Sequence, residues 1–541
     1  EEPRPAGSVP SMALPWGSAP RSCLVVAVLA AVMAGVRAEE EEVSQANLGI
    51  SIMLLGSIGF MMSLFYLTNL KDKELRKYSW QVISSTISIF SAVLLFQACN
   101  GFIENLFLEG ASEMFELLVA VLHMLVWFAI LQFALAFISG ALAEPSLKKA
   151  YSEEDYEKME LNLKCYAVLL GHITGFSAIN AFATFQQVVP RDSLCVFLVA
   201  PLAWGCVYMV GRVTDGFRNY TALGDDGEID EAEHQWDDAT EETEDDVVGL
   251  AVSFVAVQWL RFFICGWLPN EEGEEPEEEI SSHSNTQVVL LMTAGFIFEA
   301  ANTYRTLYIK TTFERLTPQM RNITAMVFSW CLFFSSDWWL SATFFTSEHG
   351  MIKQVVLAMF ITVVALALIF ILDKVEDLQG TDAKLDNAIR AIILALSILI
   401  GFSWERAFDT AVVEITSETH FLPHAVTKLI LAVILAAVVI PAWRMHILPT
   451  IVAFEEEEKA AEKREEVSSL EQPLLEATVS SAVGLSGAEL ERRYKAKARQ
   501  TEQLKAQLDE VKGRNGELEE TIIGISAELS ELQKLADHLS N

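Results

Sequence analysis

Apolar stretches long enough to cross a bilayer recur eleven times along this chain, at 48–70, 78–107, 114–142, 165–189, 193–211, 247–268, 288–308, 323–345, 355–372, 388–415 and 425–447. A hydrocarbon core about 30 Å thick needs roughly 20 helical residues. Each stretch approaches or exceeds that length, the fifth and ninth with least to spare. A buried helix of a water-soluble domain seldom carries more than about 14 such residues, so a soluble core is excluded. The expected fold is all-α: a polytopic transmembrane helix bundle of 11 helices, or 12 if a shorter N-terminal run is retained.

The 541 residues are 52% hydrophobic with positive mean hydropathy, yet their formal net charge is −35. Apolar spans alternating with acidic connections reconcile those numbers, and the lipid bilayer is the first partner they imply. The acidic balance argues against nucleic acid, whose phosphates need Lys and Arg. The seven cysteines show no metal-ligand spacing, and nearly all lie in apolar runs where a thiol acts as a small hydrophobe. Cys195 and Cys265 fall near the same end of neighbouring spans, placed to bridge in an oxidising lumen. No cofactor motif is present.

Met12 reads as the native start. After it, Arg21 flanks an apolar run at 23–36, and Val36-Arg37-Ala38 precedes four glutamates. Small residues around the final arginine make Ala38 a signal-peptidase site. Residues 1–38 are therefore expected to be leader and signal peptide, the alternative being a retained first helix.

Lys and Arg set the orientation. If the segment after the signal starts outside, the first, third, fifth, seventh and ninth connections are cytoplasmic. They hold Lys71, Lys73, Arg76, Lys148, Lys149, Arg212, Arg218, Lys310, Arg315, Lys374 and Lys384 among others, whereas the opposite connections hold essentially Arg191. Lys353 and Lys428, just inside helix ends, are expected to snorkel. The expected location is a membrane of the secretory pathway, endomembrane or plasma membrane, with the C-terminus cytoplasmic.

The spans also repeat. Leu54–Phe60 resembles Leu290–Phe296, Phe90–Phe96 resembles Phe328–Phe334, and Gly175-Phe176-Ser177 resembles Gly401-Phe402-Ser403, with offsets of 236, 238 and 226 residues. A displacement of six crossings makes the halves parallel rather than inverted. The expected organisation is a first half at 39–217, an acidic cytoplasmic linker at 218–246, and the sixth span with the second half at 247–448. A polar linker at 449–485 and a coiled coil at 486–541 follow. The sixth span has no counterpart unless it is the N-terminal run, which would then be retained to give six plus six.

Ionisable groups inside a span are costly and usually face a cavity, a partner or a transport path. Glu405, Arg406 and Asp409 in the tenth span stand out, and Glu405 and Asp409 share a face. In the repeat, Arg406 corresponds to Asn180. Glu299, Asp337 and Arg261 are further candidates, with Asn100, Glu104, Glu116 and His123 beside them. The competing reading of each is a structural ion pair; His123 reads as a satisfied core histidine. Asp226-Gly227-Glu228-Ile229-Asp230-Glu231-Ala232-Glu233 follows part of a calcium-binding loop, but Ala222 and Gly224 fill its first two ligand positions. Calcium is not an expected partner, and a solvated acidic linker is the default.

From Leu490 a heptad runs to Leu539. Its core positions include Leu504, Leu508, Val511, Asn515, Leu518, Ile522, Ile525, Leu529 and Leu532. One Asn at an a position is a device for a parallel dimer in fixed register, so a parallel homodimer through 490–539 is expected, with pairing to another chain as the alternative.

The parallel halves and long central connection resemble the major facilitator architecture, if the N-terminal helix is retained. Asp72-Lys73-Glu74-Leu75-Arg76-Lys77 resembles that family's cytoplasmic Asp-Arg…Arg-Lys motif, with Thr68 and Leu75 at its glycine positions. The implied function is transport, and no site residue carries over. His-Glu-x-x-His, Gly-x-Ser-x-Gly and Gly-x-Gly-Asp motifs are missing from the chain, so no enzyme is expected. A transporter or channel for a small solute or ion, proton- or cation-coupled through the intramembrane carboxylates, is the first expectation. A membrane scaffold or receptor-like protein acting through the coiled coil is the second.

Overall fold

The computed structural model describes residues 45–108, 110–143, 153–225, 229–308, 316–345, 350–376, 383–418, 423–454 and 457. The signal segment and the coiled-coil heptads lie outside the described residues.

Eleven long helices follow the eleven apolar stretches: α1 Gln45–Thr68, α2 Lys73–Ile103, α3 Glu113–Ile138, α4 Glu153–Val188, α5 Ser193–Asp225, α6 Glu231–Cys265, α7 Asn285–Tyr308, α8 Leu316–Thr343, α9 Gly350–Glu376, α10 Ala383–Glu418 and α11 His424–Ala442. Ten are long and apolar enough to cross a membrane, and the protein is a multi-pass integral membrane protein. The exception is α7, where Gln287, Glu299, Asn302 and Arg305 lower the hydropathy of a helix of 24 residues.

Polar signals fix where the helices start and stop. Asp72 caps α2 by accepting from the Glu74 amide, so the first residue of the facilitator-like motif serves as a cap here. Asp230 and Glu233 form a reciprocal capping box at the start of α6. Gly266, with φ 81°, ends α6 in the left-handed conformation that glycine adopts without a Cβ penalty.

The helices sort by burial. In α8, 94% of the apolar window is buried, against 11% in α1. The even-numbered helices form the interior and the odd-numbered ones the rim. Within the interior, α6 packs on α4 and α8, while α10 packs on α2 and α8. Rim helices turn bare apolar side chains outward, such as Leu54, Ile58, Met61 and Phe65 on α1, as a lipid-facing surface requires. Close helix approach depends on small residues: a Cβ on Gly401 would meet Ile89 and lie 2.9 Å from the Thr86 Cα.

The segment 218–246 differs from its reading as a solvated linker. It is helical at 218–225 and again at 231–246, and Arg218 is only 2% exposed. Its guanidinium meets Asp237 at 2.7 Å and Glu244 at 3.0 Å, and Gln132 of α3 donates to Glu244. Gln319 of α8 donates to Asp245 at 2.7 Å. Local charge density suggested solvent, but cross-helix partners make burial affordable. The capping box also occupies Asp230 and Glu233, two of the residues in the calcium-like run. Cys195 and Cys265 are both free, and Cys265 Sγ lies 3.5 Å from His283 Nδ1.

Candidate functional site

At the face carrying the α6–α7 connection, the interior helices part around a cavity of about 270 Å³. Gln97 and Asn100 line it from α2 and Glu104 from the π-helical turn that follows, Ile179 and Asn180 from α4, and Glu405, Arg406 and Asp409 from α10. Spacings of three and four residues put Gln97, Asn100 and Glu104 on one helical face and Glu405 and Asp409 on another. Lys428 of α11 and Glu271, Glu272 and Glu274 of the connection complete the mouth.

The deep end is aromatic. Phe176 and Phe402 stack with centroids 6.0 Å apart and planes 7° from parallel. Trp330 and Phe333 of α8 pack edge-on against Phe402 at 4.8 and 5.4 Å. Phe96 and Phe254 add to the lining.

The charges are distributed unequally. Lys428 Nζ lies 2.5 Å from Asp409 Oδ1, and Arg406 Nη2 lies 2.7 Å from Glu274 Oε1. Both cations on the cavity wall are thus engaged. Glu104 accepts from the Asn100 amide at 2.7 Å, and Asn180 donates to Asn100 at 3.4 Å. Glu405 is 0% exposed, and neither carboxyl oxygen has a hydrogen-bond partner. An unpaired buried charge is too costly to persist, so such a carboxyl carries a proton or receives a cation.

The α6–α7 connection does not hang in solvent as its glutamates suggest; it folds back into the bundle. Arg261 places Nη2 2.6 Å from Glu275 Oε1 and Nη1 2.9 Å from the Gly273 carbonyl, with its guanidinium 3.8 Å above the Phe334 ring. His283 Nε2 lies 2.6 Å from Glu275 Oε2, while the His283 ring stacks on Trp338 at 4.1 Å. Trp338 also donates to Glu275 at 3.2 Å. Gln258 and Gln187 donate to the Asn270 and Pro269 carbonyls. Burial pushes the Glu275 carboxyl up, but His283 and Arg261 outweigh it and leave its pKa below the usual value. Burial also pushes Glu272 up to about 7, Glu274 and Glu104 adding to the shift while Arg406 and Lys428 oppose it.

The structure therefore gathers Glu405, Arg406, Asp409 and Asn180 at one cavity and gives Arg261 a clamping role beside it. Asp337 pairs with Lys353 at 3.2 Å. Glu299 stands apart on the face of α7 that packs on α8, where Thr303 donates to it at 3.3 Å. His123 accepts from Trp127 Nε1 at 2.8 Å and stacks on Phe96, but its Nδ1 is buried without a partner, so the core histidine is only half satisfied. Lys353 and Lys428 are not snorkelling into water, because carboxylates on adjoining helices reach them first. Sequence reasoning missed Glu272, Glu274, Glu275 and His283 as site or clamp residues; the available signal was unmatched arginine in neighbouring spans. Among the described residues no group of three His, Cys, Asp or Glu side chains is placed to hold a metal ion.

Comparison with protein-family models, curated proteins and solved structures gave no match.

Proposed function

We propose that this integral membrane protein is a transporter or channel for a small solute or ion. In this reading, Glu405 is the carboxylate at which proton or cation uptake couples to movement. The single observation that carries the proposal is this buried, unpartnered carboxyl in the wall of a cavity reached from one face. The stacked Phe176 and Phe402 at the cavity's deep end favour a transporter with alternating access over an open channel.

A duplication of the bundle is part of the same reading. The packing of α4 on α2, α3 and α5 recurs as α10 on α8, α9 and α11. Phe176 and Phe402, matched in the sequence repeat, meet beside the cavity, where a site between parallel halves belongs. By the Lys/Arg distribution, the cavity opens away from the cytoplasm, in a membrane of the secretory pathway, and the tail is cytoplasmic. The heptads at 490–539 join two copies as a parallel homodimer.

The test is flux in proteoliposomes with an entrapped pH indicator and imposed sodium, potassium or proton gradients. Glu405→Gln and Asp409→Asn should assemble but lose flux; normal flux in both would refute the proposal.

A further inference from the structure

Resting on that reading, we infer that the cavity binds a small organic cation, its ammonium at Glu405 and its apolar body on the aromatic floor. The cavity is lined by Glu104, Glu271, Glu272, Glu274, Glu405 and Asp409 but by only two cations, Arg406 and Lys428. Both cations are already paired, with Glu274 and Asp409. An anionic solute would meet only repulsion. A neutral solute would leave Glu405 to hold a proton and would gain nothing from the carboxylates around the space, whereas a cation supplies the charge that Glu405 lacks.

A bare metal ion fits less well. It needs several ligand oxygens converging on one point at about 2.0–2.6 Å, and no such group of side chains occurs among the described residues. The negative charge is spread around a space instead. A space of about 150 Å³ takes a benzene-sized molecule, so 270 Å³ suits a solute of roughly ten non-hydrogen atoms. Phe176, Phe254 and Phe402 in the lining favour an apolar body near a cation. Gln97 and Asn100 add amide groups along the same wall.

Phenethylamine, choline and putrescine are suitable probes, with sodium chloride and sodium glutamate as controls at equal ionic strength. The full chain in nanodiscs is titrated with each probe while its unfolding temperature is followed and binding heat is measured. At least one amine should bind saturably while neither control does, and Glu405→Gln should weaken that amine about tenfold or more. Should Glu405→Gln fail to fold, Gln97→Lys places a fixed cation in the cavity without touching Glu405 and should abolish binding. Failure of all three amines, or equal affinity in a folded variant, overturns the inference. Proton and sodium flux measured on the same preparations separates the two levels. Glu405-dependent flux without amine binding overturns only the substrate class, whereas flux indifferent to Glu405 overturns the transport reading itself.

Discussion

Lys428 Nζ lies 2.5 Å from Asp409 Oδ1, one helical turn along α10 from Glu405. The lysine neutralises one of two neighbouring carboxylates and leaves the other unpaired at the cavity wall. Lys428→Met should therefore destabilise the bundle by roughly 1–3 kcal/mol, the cost of stranding a charged partner. Adding Asp409→Asn should recover part of the loss. Chemical unfolding of both variants checks this; equal losses would show that the pair is energetically idle.

Arg261 should behave as a clamp rather than a transport group. It and Glu275 are each 1% exposed at the side chain, and breaking a buried pair by removing one partner costs about 3–5 kcal/mol. Arg261→Met should lower the unfolding midpoint and expose the α6–α7 connection to protease. A variant with wild-type stability would contradict the clamp.

The pH response of stability should carry Glu272. Its folded-state pKa, about 7, stands above the ordinary 4.5, so the folded protein retains a proton that the unfolded chain has lost. Its contribution is fully present below pH 4.5 and is lost as pH rises through about 7. Thermal midpoints should therefore decline across that window, and Glu272→Gln should flatten the decline. An identical slope in the variant would assign the effect elsewhere.

Two matched glycines should respond differently. A Cβ at Gly401 approaches the Thr86 backbone at 2.9 and 3.0 Å, whereas at Gly175 the nearest atom is the end of the Leu250 side chain. Backbone cannot swing aside as a leucine methyl can. Gly401→Ala should cost roughly 1–3 kcal/mol and Gly175→Ala less, as read from unfolding midpoints.

Much of this architecture was legible in residue order because bilayer thickness imposes one length on every span. The eleven apolar stretches lie along α1 to α11 and overrun their ends by at most a few residues, and among these eleven helices α7, with Glu299 and Asn302, alone falls short of spanning hydropathy. The periodic face of Glu405 and Asp409 was legible for the same reason. The partners were not. Arg406 meets Glu274 across 132 positions, and Asp337 of α8 meets Lys353 of α9. Such pairs depend on the path of the connections and on which helices adjoin. Seven of the nine residues from 271 to 279 in the α6–α7 connection are glutamates, a run that by itself suggests solvent; Arg261, His283, Trp338 and Arg406, all from outside that run, draw it inward.

The most direct test of the central claim compares wild type with Glu405→Gln in proteoliposomes matched for protein content and unfolding midpoint. Movement of protons and of a labelled amine is followed under an imposed gradient. Loss of about tenfold or more in rate is the result the account predicts. A folded Glu405→Gln protein that moves both at the wild-type rate would contradict it.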